Sequence, residues 1–378
     1  MMTRRDFVKG AVGVAAVAAV GGVAGVTVWD RSTQPEDPTE AWGTAQGIDR
    51  ILLAATLAPS SHNTQPWRFR VGPESIDLLG DAGRTMGKAD PRLRELHVSL
   101  GCALENAAIA AADAGTPLTI VQVPGAPGSH FATLRFAQGA AASAANANLA
   151  AAIPRRRTNR SAYDPKRTVA SDTLTALGQL ASANVRVTWL TASEACKRFS
   201  ELSVNATIES VAEAAMQRDS HRWYRMDRDA ADRYRDGVTV DGANLPGVVS
   251  LMMGLFPPTP VSFDAGWVDA TRDTHCGTAP AFGLLVIENA EDRSAWVEAG
   301  RTYQRIQLAA TLKGISTHPI SQSLAIRDRE RAAGTAGAFT AGLNGLAGSG
   351  EVVLAFRIGY PTRVQQPSMR RTAVVESA

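Results

Sequence analysis

Apolar residues are grouped into helix-like and strand-like stretches along most of this 378-residue chain. Apolar positions three or four apart predict helices, whereas short alternating or continuous apolar runs between turn residues predict strands. Before Pro154 the predicted order is helix, strand, strand, helix, strand, strand, over 48–57, 67–71, 75–79, 96–114, 118–123 and 131–136. After it, helices and strands alternate over 171–180, 185–190, 193–217, 283–288, 292–313 and 351–358. This mixed order predicts an α+β fold.

Two of the predicted helices share a pattern at a constant spacing along the chain. Gly101 and Gly115 belong to one apolar helix, and Gly300 and Gly314 take the same places in the other, 199 residues later (300 − 101 = 314 − 115 = 199). Amphipathic helices often end in glycine, so a chance agreement and a true internal duplication are both open at this point.

An insert between the two patterned helices, residues 221–266, is rich in aromatic residues and proline and shows no clear periodicity. A long irregular segment of this kind predicts a lid over a binding site. The alternative is a surface excursion that packs on itself.

The first thirty residues have the layout of an export signal. Arg4 and Arg5 precede an Ala/Gly/Val run over 10–28, which is the order of a charged region followed by an apolar region. The paired arginines resemble a twin-arginine signal, which implies export to the periplasm or cell envelope, with cleavage left open. The alternative is a membrane anchor, since about twenty apolar residues can span a bilayer. We predict a signal over 1–30 and a linker, rich in Pro, Glu, Thr and Gly, over 31–47.

Composition argues against several classes of partner. The chain has 39 Lys and Arg against 36 Asp and Glu, and its longest basic run is Arg155–Arg157, so a nucleic-acid partner is not expected. Cys102, Cys196 and Cys276 lack CxxC spacing and predict neither a disulfide framework nor a zinc site. Metal catalysis is not expected either, because the following histidines are scattered without ligand spacing: His97, His130, His221, His275 and His318.

Two familiar catalytic motifs are missing from the sequence. Ser60, Ser61 and His62 are neighbours, but no G-x-S-x-G elbow occurs and adjacency alone does not make a nucleophile and its base. The glycine-rich stretch 342–350 lacks G-x-G-x-x-G, so we predict a loop there and not a dinucleotide cradle.

Three polar segments are candidates for a binding site. The turn PSSHNTQPW, Pro59–Trp67, follows the first predicted helix and concentrates hydrogen-bonding side chains. The segment RRRTNR, Arg155–Arg160, combines guanidinium forks with a hydroxyl, which together bind phosphate, although arginine runs are also common on solvated surfaces. The third is the arginine pair Arg370 and Arg371, which follows the strand-like RIGYP at 357–361.

Taken together, these segments resemble the nitroreductase-like flavoproteins. The turn Pro59–Trp67 is similar to the family's PSxxNxQPW turn, and Arg156–Arg160 is similar to its RRSxR phosphate-binding opening. Residues 314–322 and 357–361 resemble its closing half, so the likeness extends from about Ile51 to the C-terminus. The resemblance implies bound FMN, with the flavin performing the redox step and no side chain nominated as a catalytic acid or base.

The order of the motifs departs from the ordinary family pattern. In ordinary members the arginine opening precedes the turn and two identical chains build each flavin site, whereas here the turn comes first. The order resembles the Acg-type branch, in which two such folds are fused. It implies a first half over 48–150, a second half over 151–378, and a monomer that binds one FMN and acts as an internal pseudo-dimer.

The resemblance also implies which residues bind the cofactor. The amides of the turn would serve the flavin ring, and the arginines of both clusters would hold the ribityl phosphate and the pyrimidine edge. The implied cofactor-binding residues are Pro59, Ser60, Ser61, His62, Asn63, Gln65, Arg156, Arg157, Thr158, Arg160, Pro319, Ile320, Ser321, Gln322, Arg370 and Arg371.

Two functions of different classes follow from the resemblance. The first is an oxidoreductase that passes electrons from a reduced donor through FMN to a nitro compound, a quinone or a similar small acceptor. The alternative is a protein that sequesters flavin under a lid and turns over little. An exported location weakens NAD(P)H as the donor, and membrane association is expected only through the N-terminal segment.

Overall fold

The computed structural model describes residues 40–116, 118–123, 129–136, 144–244, 252–253, 256 and 258–376. The chain divides into a unit Met1–Asp37, which lies outside the described residues, and a compact unit Pro38–Ala378. The predicted export signal therefore falls outside the described part. Within the ranges given above, no helix combines the length and the apolar character needed to cross a membrane.

Helices and strands alternate through the compact unit. The helices are α1 (Gly47–Thr56), α2 (Arg94–Asp113), α3 (Ser171–Gly178), α4 (Ser193–Ala212), α5 (Ala214–His221), α6 (Arg228–Tyr234), α7 (Pro260–Asp269), α8 (Arg293–Leu312), α9 (Gln322–Ala332) and α10 (Ala338–Ala347). The strands are β1 (Trp67–Val71), β2 (Ser75–Gly80), β3 (Leu118–Gln122), β4 (His130–Phe136), β5 (Arg186–Leu190), β6 (Tyr224–Arg225), β7 (Val238–Thr239), β8 (Ala281–Ile287), β9 (Ser316–Pro319), β10 (Glu351–Gly359) and β11 (Val375–Glu376).

Two larger sheets carry the fold. The first has the strand order β11-β1-β2-β4-β3, and the second has the order β5-β8-β10-β9. All pairings in them are antiparallel except that of β1 with β11, which is parallel. Because β11 lies beside β1, the end of the chain returns to the first sheet and brings the preceding residues next to the turn before β1.

The predicted α+β class is confirmed, and the predicted elements agree with the observed ones to within a few residues. One predicted helix, 193–217, is divided at Glu213. The Glu213 carboxylate accepts hydrogen bonds from the backbone N–H groups of Ala215 and Met216, so it ends α4 and caps the N-terminus of α5.

The predicted loop over 342–350 is wrong, because most of it belongs to helix α10. Phe339, Leu343 and Ala347 are buried at intervals of four residues and form one apolar helix face. Burial of this face outweighs the low helix propensity of Gly342 and Gly345. The prediction weighed the glycines and overlooked this spacing.

Helices α2 and α8 pack closely where two glycines meet. A Cβ atom on Gly101 would lie 2.3 Å from the carbonyl oxygen of Val297, and one on Gly300 would lie 2.2 Å from the carbonyl oxygen of Val98. Only glycine allows the two backbones to approach so closely.

The two helices also have matching bounds. Each starts and ends 199 residues from the other (293 − 94 = 312 − 113 = 199), and each is followed by a glycine with positive φ, 68° at Gly115 and 69° at Gly314. The two helices therefore contact each other reciprocally through equivalent positions.

Candidate functional site

A cavity of about 320 Å³ lies where the two polar segments meet. The turn contributes Pro59, Ser60, Ser61 and His62, and the arginine segment contributes Thr158 and Arg160. Further walls come from α2, the insert 221–266, the π-helical turn Ala270–Cys276, α8, β9 and the start of α9. They contribute, among others, Cys102, Tyr224, Asp264, His275, Tyr303, His318, Pro319, Ser321 and Gln322. Segments remote in sequence thus line one cavity, which is the arrangement of a ligand site.

The turn at the cavity has a strained backbone. His62, Asn63 and Gln65 have φ values of 46°, 53° and 51°, in the left-handed region that non-glycine residues rarely occupy. The strained conformation is stabilised by hydrogen bonds from the Gln65 N–H to Ser60 Oγ (2.9 Å) and from Arg370 Nη1 to Asn63 Oδ1 (2.8 Å). Strain that the surrounding structure holds in place is typical of functional sites.

The amides of Asn63 and Gln65 bond to protein and do not line the cavity. Asn63 Nδ2 donates to the carbonyl of Met369 (3.1 Å), and Gln65 Nε2 donates to the carbonyl of Arg235 (2.9 Å). Gln65 Oε1 accepts from the backbone N–H of Arg371 (2.8 Å). These contacts differ from the expected bonds to a ring ligand. They make Asn63 and Gln65 supports of the turn, because they fix it against the insert and the C-terminal segment.

Two buried arginines contact the residues at the start of the turn. Arg156 Nη2 donates to the carbonyl of Leu57 (3.2 Å), and Arg370 Nη2 donates to the carbonyl of Ala58 (3.3 Å). The Nε atoms of both arginines are buried without a hydrogen-bond partner among the described residues. The arginine segment and the C-terminal arginine therefore converge on the start of the turn, although neither Arg156 nor Arg370 is part of the cavity lining.

Three arginines near the turn, Arg156, Arg160 and Arg370, have no carboxylate partner. Within the described ranges none of them forms an ion pair with Asp or Glu, and no carboxylate is among the causes of their pKa shifts. Burial, and next the charge of Arg157, lowers the pKa of Arg156 to about 10; burial, and next the charge of Arg156, lowers the pKa of Arg370 to about 9. Buried charges are normally paired, so this cluster fits an anionic group of a ligand.

The other predicted residues away from the cavity have structural contacts. Arg157 Nη1 donates to the carbonyls of Pro154 (2.7 Å) and Arg156 (2.9 Å). The Ile320 side chain is fully buried in the apolar core beside β8 and β10. For Arg371 the structure shows the backbone bond to Gln65, and burial lowers the pKa of its partly buried guanidinium.

Two histidines that looked scattered in the sequence lie together at the cavity. The ring centroids of His275 and His318 are 4.7 Å apart with the rings nearly perpendicular, and both residues are buried. His275 belongs to a π-helical turn, Ala270–Cys276, a rare conformation that is frequent at functional sites. Spacing along the chain gave no signal for this pair. The only hint was that His318 directly precedes Pro319 in the segment that resembles the family.

The insert places a hydrogen-bonded tyrosine in another wall. Tyr224 donates to Asp264 Oδ1 (2.8 Å), while His221 Nε2 and Gln217 Nε2 lie 2.7 Å and 3.1 Å from Asp264 Oδ2. The rings of Tyr224 and His62 are parallel, with centroids 6.3 Å apart. Burial and the Asp264 carboxylate raise the pKa of Tyr224, so this phenol stays protonated near neutral pH.

Metal chemistry has no visible site in the described part of the chain. No group of three or more His, Cys, Asp or Glu side chains is arranged there to hold a metal ion.

Acidification should destabilise the protein through His62. Burial, and then the charge of Arg160, lowers the pKa of His62 from 6.5 to about 4. The native state therefore prefers the neutral ring. As the pH falls from 6.5 to about 4, His62 binds a proton in the unfolded state but not in the native state, so the free energy of unfolding decreases. The loss is at most about 1.4 kcal/mol per pH unit and is smaller where solvent reaches the ring.

Urea unfolding of the wild type and of His62→Asn across this pH range checks the prediction, since asparagine tolerates a positive φ. Other buried histidines contribute equally to both proteins, so their effects cancel. The wild type should lose more stability than the variant; parallel curves would contradict the assignment.

Comparisons with known proteins give the family. No protein-family model matches the chain. It is 30% identical over 293 residues to "Putative NAD(P)H nitroreductase Rv3131" of Mycobacterium tuberculosis strain H37Rv, covering 76% of this chain and 80% of that protein. It is 30% identical over 118 residues to "Putative NAD(P)H nitroreductase acg" of the same strain, covering 31% and 36%.

Among solved structures, the FMN-dependent nitroreductase NfnB of Mycobacterium smegmatis in complex with NADPH is 17% identical to this chain. The alignment covers 60% of this chain and 93% of NfnB, with a TM-score of 0.38. The identity to Rv3131 over most of both chains is the decisive finding. The chain belongs to the NAD(P)H nitroreductase family.

Proposed function

We propose that the chain is an FMN-dependent oxidoreductase that reduces a nitro compound, a quinone or a similar small acceptor. The observation that carries the proposal is the meeting of the turn 59–62 and the arginine segment at one cavity, beside buried guanidinium groups without carboxylate partners. Membership of the NAD(P)H nitroreductase family supports the reaction class.

The residues present fit an FMN molecule. Its phosphate needs hydrogen-bond donors and positive charge, which Thr158 and Arg160 would offer from the cavity lining, with the buried charges of Arg156 and Arg370 next to the turn. Its ring system needs an apolar wall, and Pro59, Val98 and Leu354 line the cavity. When bound, FMN would supply the two-electron redox chemistry.

The chain's own residues would orient the ring and set its electrostatic surroundings. Arg160 lines the cavity, where burial, followed by the charge of Arg357, lowers its pKa to about 10, a value at which it remains a cation near neutral pH. A fixed positive charge favours any state of a ligand that carries more negative charge. The arginine segment would therefore bind the phosphate and also stabilise an electron-rich ring.

The same proposal includes the fused arrangement. The reciprocal contacts of Gly101 and Gly300, and the matching bounds of α2 and α8, support two related halves over 48–150 and 151–378 that pack as an internal pseudo-dimer. A chain of this kind would act as a monomer with one FMN site. Export by the N-terminal signal is part of the proposal and rests on the sequence alone.

Tyr224, Phe263 and Asp264 line the cavity, which supports a lid role for the insert 221–266. A cover of this kind limits which donors and acceptors reach the ring.

Spectroscopy of the purified chain tests this function. We expect a yellow protein, or an apoprotein that takes up one equivalent of FMN, and we expect bleaching when NADPH is added without oxygen, followed by reoxidation by menadione. Free FMN under the same conditions is the control. A chain that binds FMN but stays yellow when NADPH is added would favour sequestration, and a chain that takes up no FMN would overturn the proposal.

A further inference from the structure

We propose that His318 is held as a neutral imidazole that donates its Nε2–H into the cavity, to an oxygen conjugated to the ring of the bound ligand. In this proposal Arg357 is the positioning residue that fixes the imidazole. The identity of the ligand rests on the proposed function, whereas the state of the imidazole rests on the contacts of His318 alone.

Arg357 is wholly buried and all of its donors are used. Its Nε donates to His318 Nδ1 (3.2 Å). Its Nη1 donates to the carbonyls of Thr274 (3.1 Å) and His275 (3.4 Å), and its Nη2 donates to the carbonyls of Asn159 (3.1 Å) and Ser161 (2.9 Å). A guanidinium has five N–H donors and no acceptor, so these five contacts leave it no other arrangement.

The contact with Arg357 decides which nitrogen of His318 carries the proton. Because a guanidinium only donates, His318 Nδ1 must offer its lone pair, and the ring proton must be on Nε2. Protonating Nδ1 would set two N–H groups against each other. The charged and titratable groups around this imidazole are His275 on the π-helical turn, Arg357 on β10 and Arg160 on the arginine segment, and none of them is an acid.

Burial and the neighbouring charges also favour the neutral form of the His318 imidazole. Burial, followed by His275, Arg357 and Arg160, lowers the pKa of His318 well below its ordinary range. His318 Nε2 has no hydrogen-bond partner in the part of the chain that the structure describes, while His318 lines the cavity. The Nε2–H is therefore available to a ligand.

The chemistry of the cavity selects an oxygen acceptor. A neutral N–H donor beside the cationic Arg160 suits an oxygen with partial negative charge that is conjugated to a ring, as in the pyrimidine carbonyls of flavin or in a quinone or nitro group. A cationic or purely donating ligand group would be disfavoured there. His275 packs edge-on against His318 and also lines the cavity, and its buried Nδ1 has no hydrogen-bond partner among the described residues.

Nitrogen-15 NMR of the imidazoles tests the state of His318 without any ligand. The His318→Gln variant assigns the signal, and His130, which is outside the cavity lining, is the internal control. We expect an Nε2–H tautomer that does not titrate between pH 8 and 5, whereas Arg357→Gln, which removes the positive charge and offers an amide oxygen as acceptor, should raise the pKa of the ring. An Nδ1–H tautomer in the wild type, or a titration near pH 6.5, would overturn the inference whether or not Arg357→Gln folds.

A second experiment tests the role of the donor. In FMN-loaded protein we compare His318→Phe, which removes the donor, with His318→Gln, which keeps an N–H donor, and with His130→Phe as the distant control. We expect a change of at least five-fold in His318→Phe and in neither other variant. If the affinity for reduced FMN falls relative to that for oxidised FMN, His318 donates to a flavin carbonyl. If the KM for menadione rises instead, His318 donates to the electron acceptor.

If neither quantity changes while FMN binds as in the wild type, the inference fails and the proposed function stands. If wild-type protein binds no FMN, the proposed function fails, and the ligand assignment made here fails with it. The NMR measurement then still decides the state of the imidazole.

Discussion

Replacing Arg156 or Arg370 by glutamine is expected to weaken FMN binding by about ten-fold to a hundred-fold. Each substitution removes a guanidinium charge from beside the proposed anion site, and a hydrogen bond to a charged group is worth about 1.5–3 kcal/mol. The FMN-free Arg156→Gln protein should lose little stability, because this guanidinium has no carboxylate partner within the described ranges and is costly to bury. Arg370→Gln also removes the hydrogen bond to Asn63 Oδ1 and should lose more stability. Fluorescence titration with FMN and thermal unfolding of the apoprotein measure the two effects.

Arg70→Gln is the matched control for these variants. Arg70 is a part-exposed arginine on β1 that pairs with Asp77 and Glu376, away from the cavity lining. The Arg70→Gln substitution should leave the FMN affinity unchanged. If Arg156→Gln and Arg370→Gln also leave the FMN affinity unchanged, these arginines do not contribute to phosphate binding.

Replacing Gly101 by alanine should destabilise the protein by roughly 3 kcal/mol or more. In an ordinary helix this change is stabilising by about 0.5–1 kcal/mol. Here the added Cβ would meet backbone atoms of α8, the carbonyl oxygen of Val297 at 2.3 Å and the Cα of Gly300 at 3.2 Å, so the helices would have to separate. Urea unfolding followed by circular dichroism measures the change.

Gly266→Ala is the control for this helix contact. Gly266 lies inside α7, and beyond its chain neighbours and the backbone of its own helix no described heavy atom lies within 4 Å of its Cβ position, so alanine should stabilise the protein slightly. Gly300→Ala should cost about as much as Gly101→Ala, because the contact is reciprocal. A Gly101 variant that behaves like the Gly266 variant would contradict the close approach of α2 and α8.

The periodic pattern was sufficient to predict most of the fold, because packing follows the same spacing. Strand β1 has the bounds that the sequence predicted, and the shared glycine spacing of α2 and α8, which the sequence left open between chance and duplication, coincides with helices of matching bounds. The helix α10 was missed because the prediction gave more weight to its glycines than to the four-residue spacing of its buried apolar residues.

The sequence predicted only those parts of the site that lie in short contiguous motifs. The turn and the arginine segment were found because each is a short contiguous stretch. The pairing of His275 with His318 was not, since the residues are far apart in sequence and meet through Arg357. The supporting role of Asn63 and Gln65 likewise depends on residues near 235 and 370 that return to the turn only in the folded chain.

The central claim is that the turn and the arginine segment enclose one ligand, and a crystal structure of the FMN-loaded chain tests it most directly. We predict one FMN per chain in this cavity, in contact with the turn at His62 and with the arginine segment at Arg160, and with its phosphate toward the side where Arg156 and Arg370 are buried. An FMN molecule bound elsewhere on the chain, or a fully loaded protein whose cavity stays empty, would contradict the claim.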